Sequence, residues 1–175
     1  VVVSPGTGSY TVGQNFTVTL QVNPLGKSVN AVEAKLAFDA TKFSVVSVSK
    51  TGSVFSLWTT EPTFSNTAGT IDFGGGSPTP FSNRSTLLSV TLKALSEGSG
   101  ALTVSSASVL AADGLGTNVF TKGVPGTFTL GKAATPEPTP PPEEEAPPEE
   151  EEDEEDGGAI TFGEPPRAPE AGSTV

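Results

Sequence analysis

Phe16-Thr17-Val18-Thr19-Leu20-Gln21-Val22 alternates apolar and polar residues without a break over seven positions. Successive side chains of a strand point to opposite faces, so this stretch buries one face and wets the other. The same period recurs on both sides of it. Val32, Ala34, Leu36 and Phe38 alternate with Glu33, Lys35 and Ala37. Leu88, Val90 and Leu92 alternate with Ser89, Thr91 and Lys93, and Leu102 and Val104 with Thr103 and Ser105. Val45-Val46-Ser47-Val48 changes parity in mid-run, which predicts a bulge or a strand that switches neighbours.

Turn chemistry separates these runs at Ser4-Pro5-Gly6, Asn23-Pro24-Leu25-Gly26, Gly74-Gly75-Gly76-Ser77-Pro78, Gly98-Ser99-Gly100 and Ala112-Asp113-Gly114. Asp39-Ala40-Thr41-Lys42 has room for one helical turn, but no 3.6-residue pattern extends over ten residues. Eight or nine short strands, broken every 8–15 residues, predict an all-β sandwich and not βαβ units.

Charge and apolar content divide the chain of 175 residues in two. Residues 1–131 carry 7 Lys/Arg against 6 Asp/Glu and hold 39 Val, Leu, Ile and Phe residues. Residues 132–175 carry 2 basic against 14 acidic residues and hold only Ile160, Phe162 and Val175 of those apolar types. The first segment can form a core. The second cannot bury enough surface to offset the entropy of ordering, and is expected to be a disordered Pro/Glu-rich acidic linker or tail. Its prolines and the eight consecutive carboxylates from Glu149 to Asp156 favour an extended spacer. Ala159-Ile160-Thr161-Phe162 has the pattern of a short docking strand, with a patch of disorder as the favoured reading. The absence of Met is expected of a mature or excised fragment.

The composition excludes several chemistries. With no Cys and no His there is no disulfide framework, imidazole base, catalytic triad or usual zinc site. A near-neutral domain followed by a polyacid is a poor nucleic-acid binder, and no apolar run is long enough to span a bilayer. The domain's acids, Glu33, Asp39, Glu61, Asp72, Glu97 and Asp113, show no spacing that favours a catalytic pair, so no catalytic residue is expected. No cofactor is expected either. A calcium site needs ligands turned inward by a glycine-bearing loop, which the acidic run lacks. Trp58, with Phe64 nearby, is the one candidate platform for stacking a sugar ring, which makes weak polysaccharide binding an alternative function; core or edge packing is the competing reading of Trp58. Tyr10 is expected to be a packed lid with a hydrogen-bonded hydroxyl.

The order of the runs across residues 1–131 resembles that of bacterial cohesin domains. The matching stretches are Val1-Val2-Val3, Tyr10-Thr11-Val12-Gly13-Gln14 leading into Phe16-Thr17-Val18, and Asn30 to Asp39. Phe43 to Val48, Gly69-Thr70-Ile71-Asp72-Phe73 and Leu87 to Ala94 complete the set. The resemblance implies a nine-stranded antiparallel jelly-roll sandwich, related to certain carbohydrate-binding modules. It also implies a non-catalytic, extracellular or cell-surface role in a secreted bacterial protein, in polysaccharide-degrading or cell-surface assemblies.

By that resemblance, a dockerin-like protein partner would dock on the outward side of one sheet. The implied contact residues are Ala31, Glu33, Lys35, Thr70, Asp72, Gly74 and Gly75, with Leu87 to Lys93 on the opposite sheet. Type I members commonly place Asn and Asp at the positions matched by Ala31 and Glu33, and an acidic contact where Gly74-Gly75-Gly76 stands. These departures weigh against type I dockerin recognition and leave another dockerin class or an unrelated surface protein as partner. A passive structural role in an envelope protein is the remaining alternative.

Overall fold

The computed structural model describes residues 1–132. The expectations for the acidic segment, from its extension to a docking strand at Ile160, fall outside that range.

The described residues form ten strand segments and no helix: β1 (Val2–Ser4), β2 (Thr7–Thr11), β3 (Asn15–Val22), β4 (Val29–Phe38), β5 (Phe43–Ser49), β6 (Leu57–Ser65), β7 (Thr70–Phe81), β8 (Ser85–Ala94), β9 (Gly98–Ala111) and β10 (Gly126–Gly131). They assemble into a four-stranded sheet, β1-β3-β8-β5, and a six-stranded sheet, β2-β10-β9-β4-β7-β6. β1 and β2 are two halves of one opening strand, interrupted at Pro5-Gly6, that leaves the first sheet for the second. Counted as one, they leave nine strands, the number that the family resemblance implies. All neighbours are antiparallel except β2 and β10, which run parallel from Thr7↔Thr127 to Thr11↔Gly131.

Alternation accounts for the core. Phe16, Val18, Leu20 and Val22 of β3 are buried, as are Val32, Ala34, Leu36 and Phe38 of β4. Leu87 and Leu88 are adjacent in sequence yet both fully buried. This follows from a register shift: Leu20 pairs with Leu88 and Gln21 with Thr86, leaving Leu87 as the extra residue of a bulge. The parity change read at residues 45–48 is likewise a bulge. Val45 pairs with Leu92 and Ser47 with Thr91, so Val46 is pushed out and is 49% exposed.

One end of the core is aromatic. Tyr10 stacks on Phe16 with centroids 3.8 Å apart, and Phe43 meets Phe128 edge-on at 6.1 Å. Tyr10 is thus the expected lid, held by stacking, and its hydroxyl makes no hydrogen bond among the described residues.

Two turn expectations are corrected. Gly74-Gly75-Gly76-Ser77-Pro78 lies inside the twelve-residue strand β7, and Gly98-Ser99-Gly100 opens β9. The glycines of β7 are paired on both sides, with β4 and with β6. They are strand glycines because neighbouring atoms, side-chain or backbone, occupy the space their Cβ atoms would need: one added at Gly75 would lie 2.6 Å from the Phe55 ring, and one at Gly76 2.9 Å from Asn30 O. Asp39-Ala40-Thr41-Lys42 does make a single turn, in which Lys42 N and Phe43 N donate to Asp39 O at 2.9 and 3.0 Å.

Candidate partner-binding face

The outward side of β6-β7-β4-β9 carries four cross-strand rows fixed by the pairing register. The first contains Leu57, Gly76, Ala31 and Leu110; the second Thr60, Gly74, Glu33 and Ser108. The third contains Thr63, Asp72, Lys35 and Ser106, and the fourth Ser65, Thr70, Ala37 and Thr103. At strand spacings near 4.8 Å and rises near 3.3 Å per residue, the grid measures roughly 15 by 20 Å.

Its chemistry is graded. Leu57 is 59% exposed at the apolar end, and the charges occupy the middle. Lys35 Nζ sits 3.4 Å from Asp72 Oδ1, with both side chains partly exposed, so the pair contributes at most about 1 kcal/mol to stability. Glu33, Lys35, Asp72, Thr60, Ser106 and Ser108 line a shallow depression of about 400 Å³. Gly74 pairs with Glu33 beside it: a Cβ there would lie 3.0 Å from both Glu33 Cγ and Thr59 Oγ1. The face is therefore a broad, hydroxyl-rich surface with one acid–base pair and a second acid. Among the described residues no three His, Cys, Asp or Glu side chains cluster to hold a metal ion.

The structure brings Ala31, Glu33, Lys35, Thr70, Asp72 and Gly74 onto this one face, while Leu87–Lys93 lies in the other sheet. Gly75 does not belong with them. It pairs with Val32, whose side chain is buried, and is itself buried beneath Phe55, so strand parity turns it to the core.

Trp58 pairs with Gly75 at the sheet edge, half-buried. Its ring meets Phe55 edge-on at 5.4 Å, and Lys50 Nζ lies 5.3 Å from its centroid. Lys50 also reaches Glu61 at 2.8 Å. Trp58 is therefore packed at the sheet edge, as the packing reading of this residue expects. Phe64 is 42% exposed and pairs with Ile71, four residues along β7 from the partner of Trp58, roughly 13 Å away. The two rings do not form one platform.

Sequence reasoning missed the flanks of the face: Leu57, Thr60 and Thr63 on β6, and Ser106, Ser108 and Leu110 on β9. In β9 the pairing shifts between Lys35↔Ser106 and Leu36↔Val104, so Ser105 is an extra residue and the outward parity changes there. The run Val104-Ser105-Ser106-Ala107-Ser108 carries a weak signal of that shift, two polar residues in succession. β6 shifts twice, between Trp58 and Thr60 and between Thr60 and Thr63, which conceals its period.

Asp39, at the end of β4, has its carboxyl held below the usual carboxylate range by hydrogen bonds from the Thr41 hydroxyl and backbone N–H, at 2.7 and 2.8 Å. These bonds fix the turn that follows the face's central strand.

A family model described as the cohesin domain matches residues 1–130. Three similar solved structures illustrate the fold. The seventh ScaB type I cohesin from Pseudobacteroides cellulosolvens superposes with a TM-score of 0.64 at 19% identity, covering 78% of this chain and 94% of that one. A non-cellulosomal cohesin from the archaeon Archaeoglobus fulgidus gives 0.60 at 18%, covering 74% and 88%. A type I cohesin–dockerin complex from Clostridium thermocellum gives 0.61 at 11%, covering 75% and 92%. No curated protein matches the chain. With the family model spanning nearly all of the sandwich and the sheet order described above, the chain belongs to the cohesin domain family, a family of non-catalytic protein-interaction modules.

Proposed function

We propose that this cohesin domain captures a protein partner, a dockerin or another surface protein, on the outward face of β6-β7-β4-β9. In this reading the domain works outside the cell or on its surface, in a polysaccharide-degrading or cell-surface assembly, and residues 132–175 serve as an acidic spacer. The supporting observation is the grid itself: six of the seven expected contact residues share one face, apolar at one end and charged in its centre. Glycines at two grid positions project no side chain of their own toward a partner.

The departures from the type I pattern stand on the same grid. Ala31 faces Gly76, and Gly74 sits beside Glu33, so the small residues cluster where amide and acidic contacts would otherwise lie. A partner that fits would present a projecting apolar side chain toward Leu57 and Leu110, with a basic group near Glu33. The decisive experiment is calorimetric titration of the chain with a panel of type I and non-type I dockerins. The E33K/K35E variant should lose at least ten-fold in affinity for whichever dockerin binds, about 1.4 kcal/mol. Unchanged affinity would move the interface elsewhere.

A further inference from the structure

A second concavity lies away from the partner face, between the turn at residues 23–27 and the irregular segment 118–124. It has a cavity volume of about 220 Å³, with Val22, Val109 and Phe120 among its apolar lining and Lys27, Arg84 and Lys122 contributing positive charge. Three of the eight Lys/Arg side chains of residues 1–132 line it and none of the six acids does. The domain as a whole is nearly neutral, so this is a local concentration of one sign. None of the three cations forms an ion pair among the described residues, whereas Lys35 and Lys50 do and Lys42 bonds the Glu97 carbonyl. Arg84 reaches only the Gln21 amide oxygen, at 3.5 Å.

The walls are fixed by backbone bonds. Asn118 Oδ1 accepts from Val109 N at 3.1 Å and Phe120 N at 2.9 Å, and Val119 N donates to Val109 O at 2.7 Å. On the other side Lys27 N donates to Pro24 O at 3.1 Å and Leu25 N to Asn23 Oδ1 at 3.2 Å. This turn holds Leu25 at a φ of 55° and 72% exposed at the mouth of the cavity. A non-glycine residue in the left-handed region is uncommon, and here it presents an apolar side chain to solvent beside the cationic rim. Asp113, whose neighbour Ala112 bonds Ser28 near this turn, is engaged by Leu115 N at 2.9 Å within its own turn.

We infer that this cavity is a binding site for a small amphiphilic anion, an apolar body ending in a carboxylate. The chemistry follows from the lining. An apolar floor gains by excluding water, and Arg and Lys at the rim recognise a carboxylate through charge-assisted hydrogen bonds. Size sets the class: at about 30 Å³ per water in the liquid, the cavity holds the equivalent of about seven waters, which suits a compact acyl or aryl acid and not a long lipid. The site is separate from the partner face, and its occupancy does not depend on the partner proposal.

The test is titration of the isotopically labelled 175-residue chain with sodium octanoate below its micellar range, followed by backbone amide NMR. Saturable shifts confined to residues 22–27 and 118–124 are expected, with no saturation by acetate and at least ten-fold weaker binding of octan-1-ol. The R84Q/K122Q variant alters only exposed side chains and should fold with an unchanged spectrum elsewhere while binding octanoate at least ten-fold more weakly. Shifts centred on another part of the sandwich would overturn the inference. So would equal binding of octanol, undiminished binding by R84Q/K122Q, or the absence of saturable shifts in the folded wild type.

Discussion

The two outer faces of this sandwich are built from the same alternation and differ in what it presents. On the four-stranded sheet, Thr17 faces Thr91 and Thr19 faces Ser89, with Ser47 and Ser49 on the far side. The Thr17 and Thr91 hydroxyls bond each other at 3.1 Å, and Lys93 is the one charge in the rows. Threonine and serine there satisfy one another and the solvent, and β-branched threonine suits a strand in its own right. On the six-stranded sheet, glycines interrupt the side-chain carpet. An ion pair and a second acid sit beside them, and Leu57 stands exposed at one end. Alternation alone builds a sheet; recognition requires departures from uniformity, and they concentrate on one face.

The largest effect is expected where the faces have no say. Phe43→Ala removes a fully buried ring from the junction of both sheets and should cost about 3–5 kcal/mol in denaturant unfolding. A loss well below that would mean that the aromatic cluster is not the centre of the core. Next comes Gly75→Val. Its side chain would collide with Phe55 and Leu57 O, so a destabilisation of about 1–3 kcal/mol is expected, which a surface glycine would not show.

The comparison sharpens with paired charge changes. E33K/K35E on one face and T17K/T91E on the other should each alter stability by roughly 1 kcal/mol or less, and only the first should weaken partner binding at least ten-fold. Equal loss from both would erase the distinction between the faces. A double-mutant cycle on Lys35 and Asp72 should return a coupling of about 0.2–1 kcal/mol that diminishes with added salt.

The smallest effect is titrational. Because the folded-state pKa of Asp39 is depressed by its bonds to Thr41, its contribution is present above the ordinary carboxylate range and lost as pH falls through the lowered value. Asp39→Asn should therefore flatten the acid limb of the stability profile and leave neutral pH nearly unchanged in slope. An identical acid limb would show that the Thr41 bonds do not persist in solution.

How much of this was legible in sequence differs by strand. In β3, in β4 and in β8 from Leu88 onward the apolar period is regular, so most of the core and the outward positions of Glu33 and Lys35 follow from parity alone. In β7 the glycines removed the side chains that carry the period, so a central strand looked like a turn and Gly75 was assigned to the wrong face. β6 and β9 hide their registers behind bulges, which are settled by cross-strand neighbours distant in sequence. The parallel β2–β10 pairing and the change of sheet after Ser4 depend on how the first and last strands of the sandwich meet, and no local pattern encodes that.

Hydrogen exchange of the whole chain, free and bound to the tightest dockerin, tests the central claim most directly. The account predicts added protection across residues 31–35, 72–76 and 106–110, with β3 and β8 unchanged. Protection centred on β3 and β8, with the six-stranded face exchanging as before, would contradict it.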